Sequence, residues 1–322
     1  MPSKHAASIL MCLVLACALS AGAQTARREI HAIQTTTLTD EQFLNGVKEG
    51  KATIIAGELR LPRPGTDRLP AVVFLHGSGG ASLSIDSWAQ EFLAIGIATF
   101  TVDSFAGRGI FNTGSDQDQL GRLAMIVDAY RALELLARHR RIDPARIAVM
   151  GFSRGGQSAL YASLRRFQRM HGPAGMEFAA YIPLYPACNT TFREDGDVSD
   201  RPIRIHHGTA DDYVPVAPCR PYVARLRAAG KNVELIEYPG AHHAFDNPAL
   251  TATTMAATAQ TTRNCRMHED ATGVLVNTRT GQPFTHKDPC VERGPYLAYH
   301  AEAHAAAVKS VKAFLASTFQ LR

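Results

Sequence analysis

The stretch that most constrains the fold is Arg146-Ile147-Ala148-Val149-Met150-Gly151-Phe152-Ser153-Arg154-Gly155-Gly156. An apolar run ends on a serine set between glycines, and helix-forming residues follow. That order spells strand, sharp turn, helix. Gly151-Phe152-Ser153-Arg154-Gly155 fits the pattern G-x-S-x-G, in which a strained turn lifts a serine hydroxyl out of the sheet. The flanking glycines leave room for close strand–helix packing, and the amide of Arg154 can point at a developing oxyanion. Glycine and serine are common, so the pentapeptide alone also fits an ordinary strand-to-helix turn. Its meaning rests on whether a base, an orienting acid and a second oxyanion donor follow in workable order.

The rest of the chain alternates in the same rhythm. Ala52 to Leu61 reads as an edge strand stopped by Pro62 and Pro64, after a polar leader. Pro70 to Leu75 and Ile97 to Val102 are continuous apolar runs, as expected of strands buried on both faces. Helical periodicity is expected over Ser84–Ile95, over Asp118–Arg138 and from Gly156 to about Met170. Phe178–Leu184, Pro202–His206 and Val233–Tyr238 are further strands, and a helix from Val216 to Ala229 is capped by Gly230. Tyr296–Leu315 closes the chain as an amphipathic helix. Strands alternating with helices predict an α/β fold, a mostly parallel sheet covered by helices on both faces. Asn247 to Pro295 breaks the rhythm, with a hairpin expected at Gly273–Thr285 around Thr280-Gly281. It reads as a surface insertion within one domain spanning residues 24–322.

Composition narrows the class. The formal net charge is +5, but the basic residues are scattered, and Arg138-His139-Arg140-Arg141 suits a solvated helix end. No motif for nucleic acid appears. Residues 1–23 read as a secretory signal: Lys4 and His5, an apolar run from Ala6 to Ser20, then Ala21-Gly22-Ala23 as the cleavage site. That run is too short for a stable membrane span. Leu15-Ala16-Cys17 loosely resembles a lipoprotein signal, although Val14 departs from the usual leucine. The protein is therefore expected outside the cytoplasm, secreted or periplasmic.

Cleavage after Ala23 would remove Cys12 and Cys17 and leave Cys188, Cys219, Cys265 and Cys290. An even number in an exported chain suggests two disulfides, for which three pairings exist. Position favours Cys265–Cys290, pinning the insertion, and Cys188–Cys219, tying the loop after the Phe178–Leu184 strand to the helix that follows Asp211 and so bracing the loop at Asp211. Cys265-x-x-His268 and His286-x-x-x-Cys290 also have zinc-like spacing, but a disulfide accounts for the two cysteines more simply, and no metal or other cofactor is expected.

A serine nucleophile needs a base, and the base needs a partner that fixes its tautomer. Two later loops supply candidates, each after a strand. His207-Gly208-Thr209-Ala210-Asp211-Asp212-Tyr213-Val214-Pro215 presents two acids, and Tyr238-Pro239-Gly240-Ala241-His242-His243-Ala244-Phe245 presents two histidines. With these loops the chain resembles the α/β-hydrolase superfamily and, within it, the dienelactone hydrolase-like family. The resemblance covers about Ala52 to Leu315. The family's G-x-x-D-x-x-V-P pattern selects Asp211, its A-x-H-x-F pattern selects His243, and His76-Gly77-Ser78-Gly79 matches the superfamily's oxyanion loop, so the amide of Ser78 would join that of Arg154. Asp212 is then a cap or surface residue, and His242 a neighbour in the loop.

The founding members of that family use a cysteine nucleophile, whereas this chain has Ser153, which leaves acyl transfer in place and the lactone substrate open. The resemblance implies a carboxylic ester hydrolase working through an acyl-enzyme on a small-molecule ester or lactone. A lactonase or peptidase is the near alternative, and a non-catalytic binding protein on the same scaffold the distant one. Phe105 and Arg108, in the loop after Asp103, are candidate substrate-pocket residues, with an internal Arg108–Asp103 ion pair as the competing expectation. Substrate identity and oligomeric state stay open.

Overall fold

A computed structural model describes residues 25–321. The expected signal, its cleavage site and Cys12 and Cys17 lie outside the described residues.

In chain order the main elements are β1 (Arg27–Thr37), α1 (Asp40–Leu44), β2 (Lys51–Leu61), β3 (Leu69–Leu75), α2 (Leu83–Leu93), β4 (Ala98–Asp103) and α3 (Ala124–Ala137). Then come β5 (Ile142–Phe152), α4 (Arg154–Tyr161), α5 (Arg165–His171), β6 (Ala180–Leu184), β7 (Thr190–Thr191), β8 (Ile203–Gly208), α6 (Cys219–Ala228), β9 (Val233–Tyr238) and α7 (Ala301–Thr318). Eight strands form one sheet in the order β1-β2-β4-β3-β5-β6-β8-β9. It is parallel from β4 through β9, while β2 runs antiparallel to β4 and β1 antiparallel to β2.

Successive side chains of a strand point to opposite faces, and β3 shows why continuous apolar runs were needed. Ala71, Val73 and Leu75 enter a core with Tyr130 and Leu133 of α3, while Val72 and Phe74 enter a second core with Trp88 and Phe92 of α2 and Val311 and Leu315 of α7. Both faces are covered, so every residue of β3 is buried.

Several element assignments differ from the sequence reading. The leader holds β1, paired with β2 along its full length from Arg27↔Leu61 to Thr37↔Lys51, so Ala52–Leu61 is not the edge. Its signal was weak because Arg27, Arg28, Ile30, Ala32 and Gln34 face solvent on the outermost strand. The helix expected from Gly156 begins at Arg154 and breaks after Tyr161, and the one expected from Tyr296 begins at Ala301, capped by His300. Helical periodicity over Asp118–Arg138 becomes a regular helix only from Ala124.

The stretch after β9 is built from short strand pairs. Gln260–Thr261 pairs with Glu292–Arg293, and Met267–Glu269 pairs with both Leu275–Asn277 and β7. Two turns flank Leu275–Asn277. One is held by Asp270 Oδ1, and the other is the expected turn at Thr280-Gly281, where Phe284 N donates to Leu275 O at 2.7 Å. Disulfides join Cys188 to Cys219 and Cys265 to Cys290, as position favoured, so the alternative zinc site built on Cys265 and Cys290 has no free thiols. No helix among the described residues is long and apolar enough to cross a membrane.

Candidate active site

The turn between β5 and α4 is as tight as its glycines suggested. A Cβ on Gly151 would lie 2.0 Å from Gly155 O, one on Gly155 2.1 Å from Leu75 O, and one on Gly156 2.3 Å from Leu184 O. Any side chain there would force the helix off the sheet. Ser153 takes φ 55°, a strained conformation for a residue with a Cβ. Its amide is held by Leu184 O at 3.0 Å and its carbonyl by Gln157 N at 2.8 Å, so neighbours on β6 and α4 fix the turn.

Asp211 follows β8, and His243 follows β9. The structure brings the three together: Ser153 Oγ is 2.9 Å from His243 Nε2, and His243 Nδ1 is 2.7 Å from Asp211 Oδ2. The loops approach because Gly208 has no side chain; a Cβ there would lie 2.1 Å from Ala241 O. Asp211 Oδ1 accepts the amides of Tyr213 at 3.0 Å and Val214 at 2.8 Å. Burial would push the Asp211 carboxyl up, but the charges and hydrogen bonds of His243 and His207 outweigh it and hold it well below the usual carboxylate range. An ionised acid fixes the proton of His243 on Nδ1 and leaves Nε2 free to accept one from Ser153.

Asp212 has other work. It accepts Arg263 Nη1 at 3.0 Å and Tyr296 N at 2.9 Å, which ties the insertion to the acid loop. His242 makes neither contact of the triad geometry.

Ser78 and Arg154 both border the cleft at Ser153. Arg154 is the first residue of α4, so its amide is one of the helix's N-terminal N–H groups without an intrahelical acceptor. The Ser78 loop is anchored from behind by His76. Because His76 Nε2 accepts Ser104 N at 3.1 Å, Nδ1 carries the proton and donates to Gly77 O at 2.8 Å. Burial lowers the His76 pKa and favours that neutral form.

Phe105 and Arg108 are not in the cleft, which corrects the expectation from sequence. Phe105 is buried edge-on against His76, with 4.3 Å between ring centroids, beneath the loop rather than facing a substrate. Arg108 is 4% exposed and forms a two-point ion pair with Asp128 of α3 at 2.8 and 2.9 Å. Asp103, the partner considered from sequence, instead accepts the amides of Phe105 and Ala106 at 2.9 and 3.0 Å. A cation next to a sharp turn is an ambiguous signal, and a buried carboxylate two elements away decided it.

The cleft is lined instead by Gln117, Arg122, Gln157 and Gln260, which local patterns did not mark, together with Tyr213 of the acid loop and His286. Gln117 Oε1 accepts Arg154 Nη2 at 2.7 Å and Ser78 Oγ at 3.1 Å, and Gln117 N donates to Gln260 Oε1 of the insertion at 2.8 Å. The Arg154 guanidinium otherwise binds the carbonyls of Leu120 and Gln117, at 2.9 and 2.8 Å, and burial lowers its pKa to about 10. Gln157 Nε2 is buried with no hydrogen-bond partner. His207 adds a 3.4 Å contact to Asp211 from within β8, where no loop pattern marks a histidine.

The Dienelactone hydrolase family matches residues 57–275. The chain belongs to that family. The fold agrees with solved members. A putative dienelactone hydrolase from Klebsiella pneumoniae is 16% identical, covering 89% of this chain and 99% of its own, with a TM-score of 0.56. A dienelactone hydrolase-like promiscuous phosphotriesterase from metagenomic libraries is also 16% identical, covering 91% and 98%, at 0.55. A structure named m3DLH is 18% identical, covering 90% and 98%, at 0.59. At these identities the likeness carries the α/β-hydrolase fold. Within this family member, the elbow, acid and histidine loops all sit at the carboxyl ends of parallel strands, where open α/β sheets bind ligands.

Proposed function

We propose that this dienelactone hydrolase family member is an exported serine hydrolase that cleaves carboxylic esters. The observation that carries the reading is the unbroken relay Ser153 Oγ–His243 Nε2 at 2.9 Å and His243 Nδ1–Asp211 Oδ2 at 2.7 Å. His243 takes the Ser153 proton as Oγ attacks the ester carbonyl, and the oxyanion is received by the amides of Ser78 and Arg154. The imidazolium, stabilised by Asp211, protonates the leaving alkoxide. The imidazole, neutral again, then takes a proton from water as that water attacks the acyl-enzyme carbonyl, and it returns the proton to Ser153 Oγ as the Oγ–acyl bond breaks and the acid leaves. Each oxyanion donor of this kind contributes about 3 kcal/mol to the transition state.

The cleft's donors favour esters that carry a carboxylate near the scissile bond. Arg122 reaches Met267 Sδ at 2.7 Å and Thr190 Oγ1 only at 3.5 Å, and Arg154 meets carbonyls and an amide oxygen. The Arg154 guanidinium is taken up by those acceptors, so Arg122, which forms no ion pair among the described residues, is the cation left for a substrate, and Gln157 adds an unused amide donor to the same cleft. Export is supported by the Ala21-Gly22-Ala23 leader and by the two disulfides, which persist in oxidising compartments.

A fluorophosphonate probe tests the mechanism. It should label wild type on Ser153, and Ser153→Ala should lose both labelling and ester turnover, by roughly 10⁴- to 10⁶-fold in kcat. Turnover that survives the substitution refutes the mechanism, and a folded wild type that neither labels nor turns over any ester would point to a binding protein. An ester panel that includes lactones, amides and matched neutral and carboxylated acyl groups then separates esterase from lactonase and peptidase.

A further inference from the structure

A second cluster of chemistry-bearing side chains lies away from the cleft. Glu29 and His31 are two residues apart on β1 and so leave the sheet on one face, the face that α3 covers. His139 lies just past the end of α3 and just before β5, whereas Ser153 follows β5. Their ligand atoms converge: Glu29 Oε2 is 3.3 Å from His31 Nε2 and 3.2 Å from His139 Nε2, and all three atoms lie within 4.8 Å of one another. The side chains are sheltered, at 17%, 23% and 13% exposure respectively.

Two features separate this cluster from an ordinary surface ion pair. His31 Nε2 is buried and has no properly directed hydrogen bond, although a carboxylate oxygen sits nearby. The two imidazoles also meet edge to face at 5.9 Å, not stacked, so their Nε2 atoms can share one point in space. Ligands placed 2.0–2.1 Å from one zinc ion at tetrahedral angles stand about 3.3 Å apart, and both Glu29–His separations have that value.

We propose that Glu29, His31 and His139 bind one divalent transition-metal ion, with zinc the best match to two imidazoles and a carboxylate. Water would fill the fourth position. Copper and nickel would compete, because imidazole nitrogen suits them too. Ligation asks for two local changes: the metal replaces the 3.2 Å hydrogen bond that His139 Nε2 donates to Glu29 Oε2, and the imidazole changes tautomer. His139 Nδ1 now accepts Arg141 N at 3.2 Å, and a metal on Nε2 places the ring proton on Nδ1, so that long contact is given up. The Arg27 ion pair uses the other Glu29 oxygen, Oε1, at 2.8 Å and can persist. The ion would clip the edge strand β1 to the turn between α3 and β5, a structural site rather than a catalytic one.

The test uses the purified full chain, stripped with chelator and titrated with zinc chloride in a calorimeter. One equivalent should bind, Tm should rise with zinc, and cobalt(II) in its place should give the visible bands of a four- or five-coordinate site. His31→Ala and His139→Ala should each abolish all three signals, and Glu29→Gln should weaken binding at least tenfold. Ester turnover serves as the folding control, since none of the three residues borders the cleft. Absence of zinc binding to folded wild type overturns the proposal, and so does stoichiometric binding that persists in the folded His31→Ala/His139→Ala double variant.

Discussion

Tyr185 Oη donates a 2.7 Å hydrogen bond to Asp246 Oδ1, while the Tyr185 ring stands edge-on to the His243 imidazole with 4.7 Å between centroids. Trp88 Nε1 donates to the other carboxylate oxygen of Asp246 at 2.8 Å. A wholly buried acid thus links a helix, a strand end and the histidine loop. Asp246→Ala would leave two buried donors without an acceptor, and the expected loss is about 2–4 kcal/mol of stability, read by urea denaturation. Asp246→Asn, which keeps one acceptor oxygen, should lose less.

Arg108 and Asp128 give a second prediction. Arg108→Ala leaves the Asp128 carboxylate buried beside only Thr35 Oγ1, a 2.7 Å donor, and should cost about 3–5 kcal/mol. The ratio of turnover on neutral and carboxylated esters should not change, because Arg108 does not face the cleft. A changed ratio in folded Arg108→Ala would return it to the substrate pocket.

Acid should destabilise the fold through histidines buried neutral. His171 stacks on Phe43 and donates Nε2–H to Phe43 O at 2.8 Å, and burial lowers its pKa from 6.5 to about 4. The unfolded chain therefore binds this proton first. The stabilising contribution is fully present above pH 6.5 and falls as the pH drops toward 4, by up to about 3 kcal/mol. Denaturation midpoints measured across that range should fall more steeply in wild type than in His171→Gln.

The Cys265–Cys290 disulfide closes a separation of 25 residues and pins the segment that carries Gln260 and Thr261 into the cleft. Replacing both cysteines by serine should cost about 3 kcal/mol of conformational constraint. Because Gln260 holds Gln117 while the triad is anchored on the sheet, KM should rise more than kcat falls. Steady-state kinetics on the double variant, and on wild type with reductant, would check this.

Much of the fold could be read locally. Parallel strands buried on both faces must be apolar throughout, so β3, β4 and β5 announced themselves. The outer strand β1 did not, because only one of its faces is covered and its exposed residues look like a polar leader. Ser153, Asp211 and His243 were legible because each is presented by a short loop directly after a strand, and such loops carry compact patterns. The cleft walls were not: Gln117, Arg122 and Gln157 come from a loop and from helices whose sequences carry no comparable signal.

What the sequence determined by itself is therefore where the Ser153, Asp211 and His243 loops stand, since strained turns and close loop approaches demand particular residues at fixed spacings. Gly151, Gly155, Gly156 and Gly208 are fixed by contacts of 2.0–2.3 Å that any Cβ would make with backbone. What only the tertiary structure decided is which charges are spent and which are free. Arg108 met Asp128 on another element and Arg154 met the carbonyls of Leu120 and Gln117, while Arg122 arrived at the cleft without an ion pair among the described residues. Partner choice between distant elements depends on packing, and no local spacing encodes it.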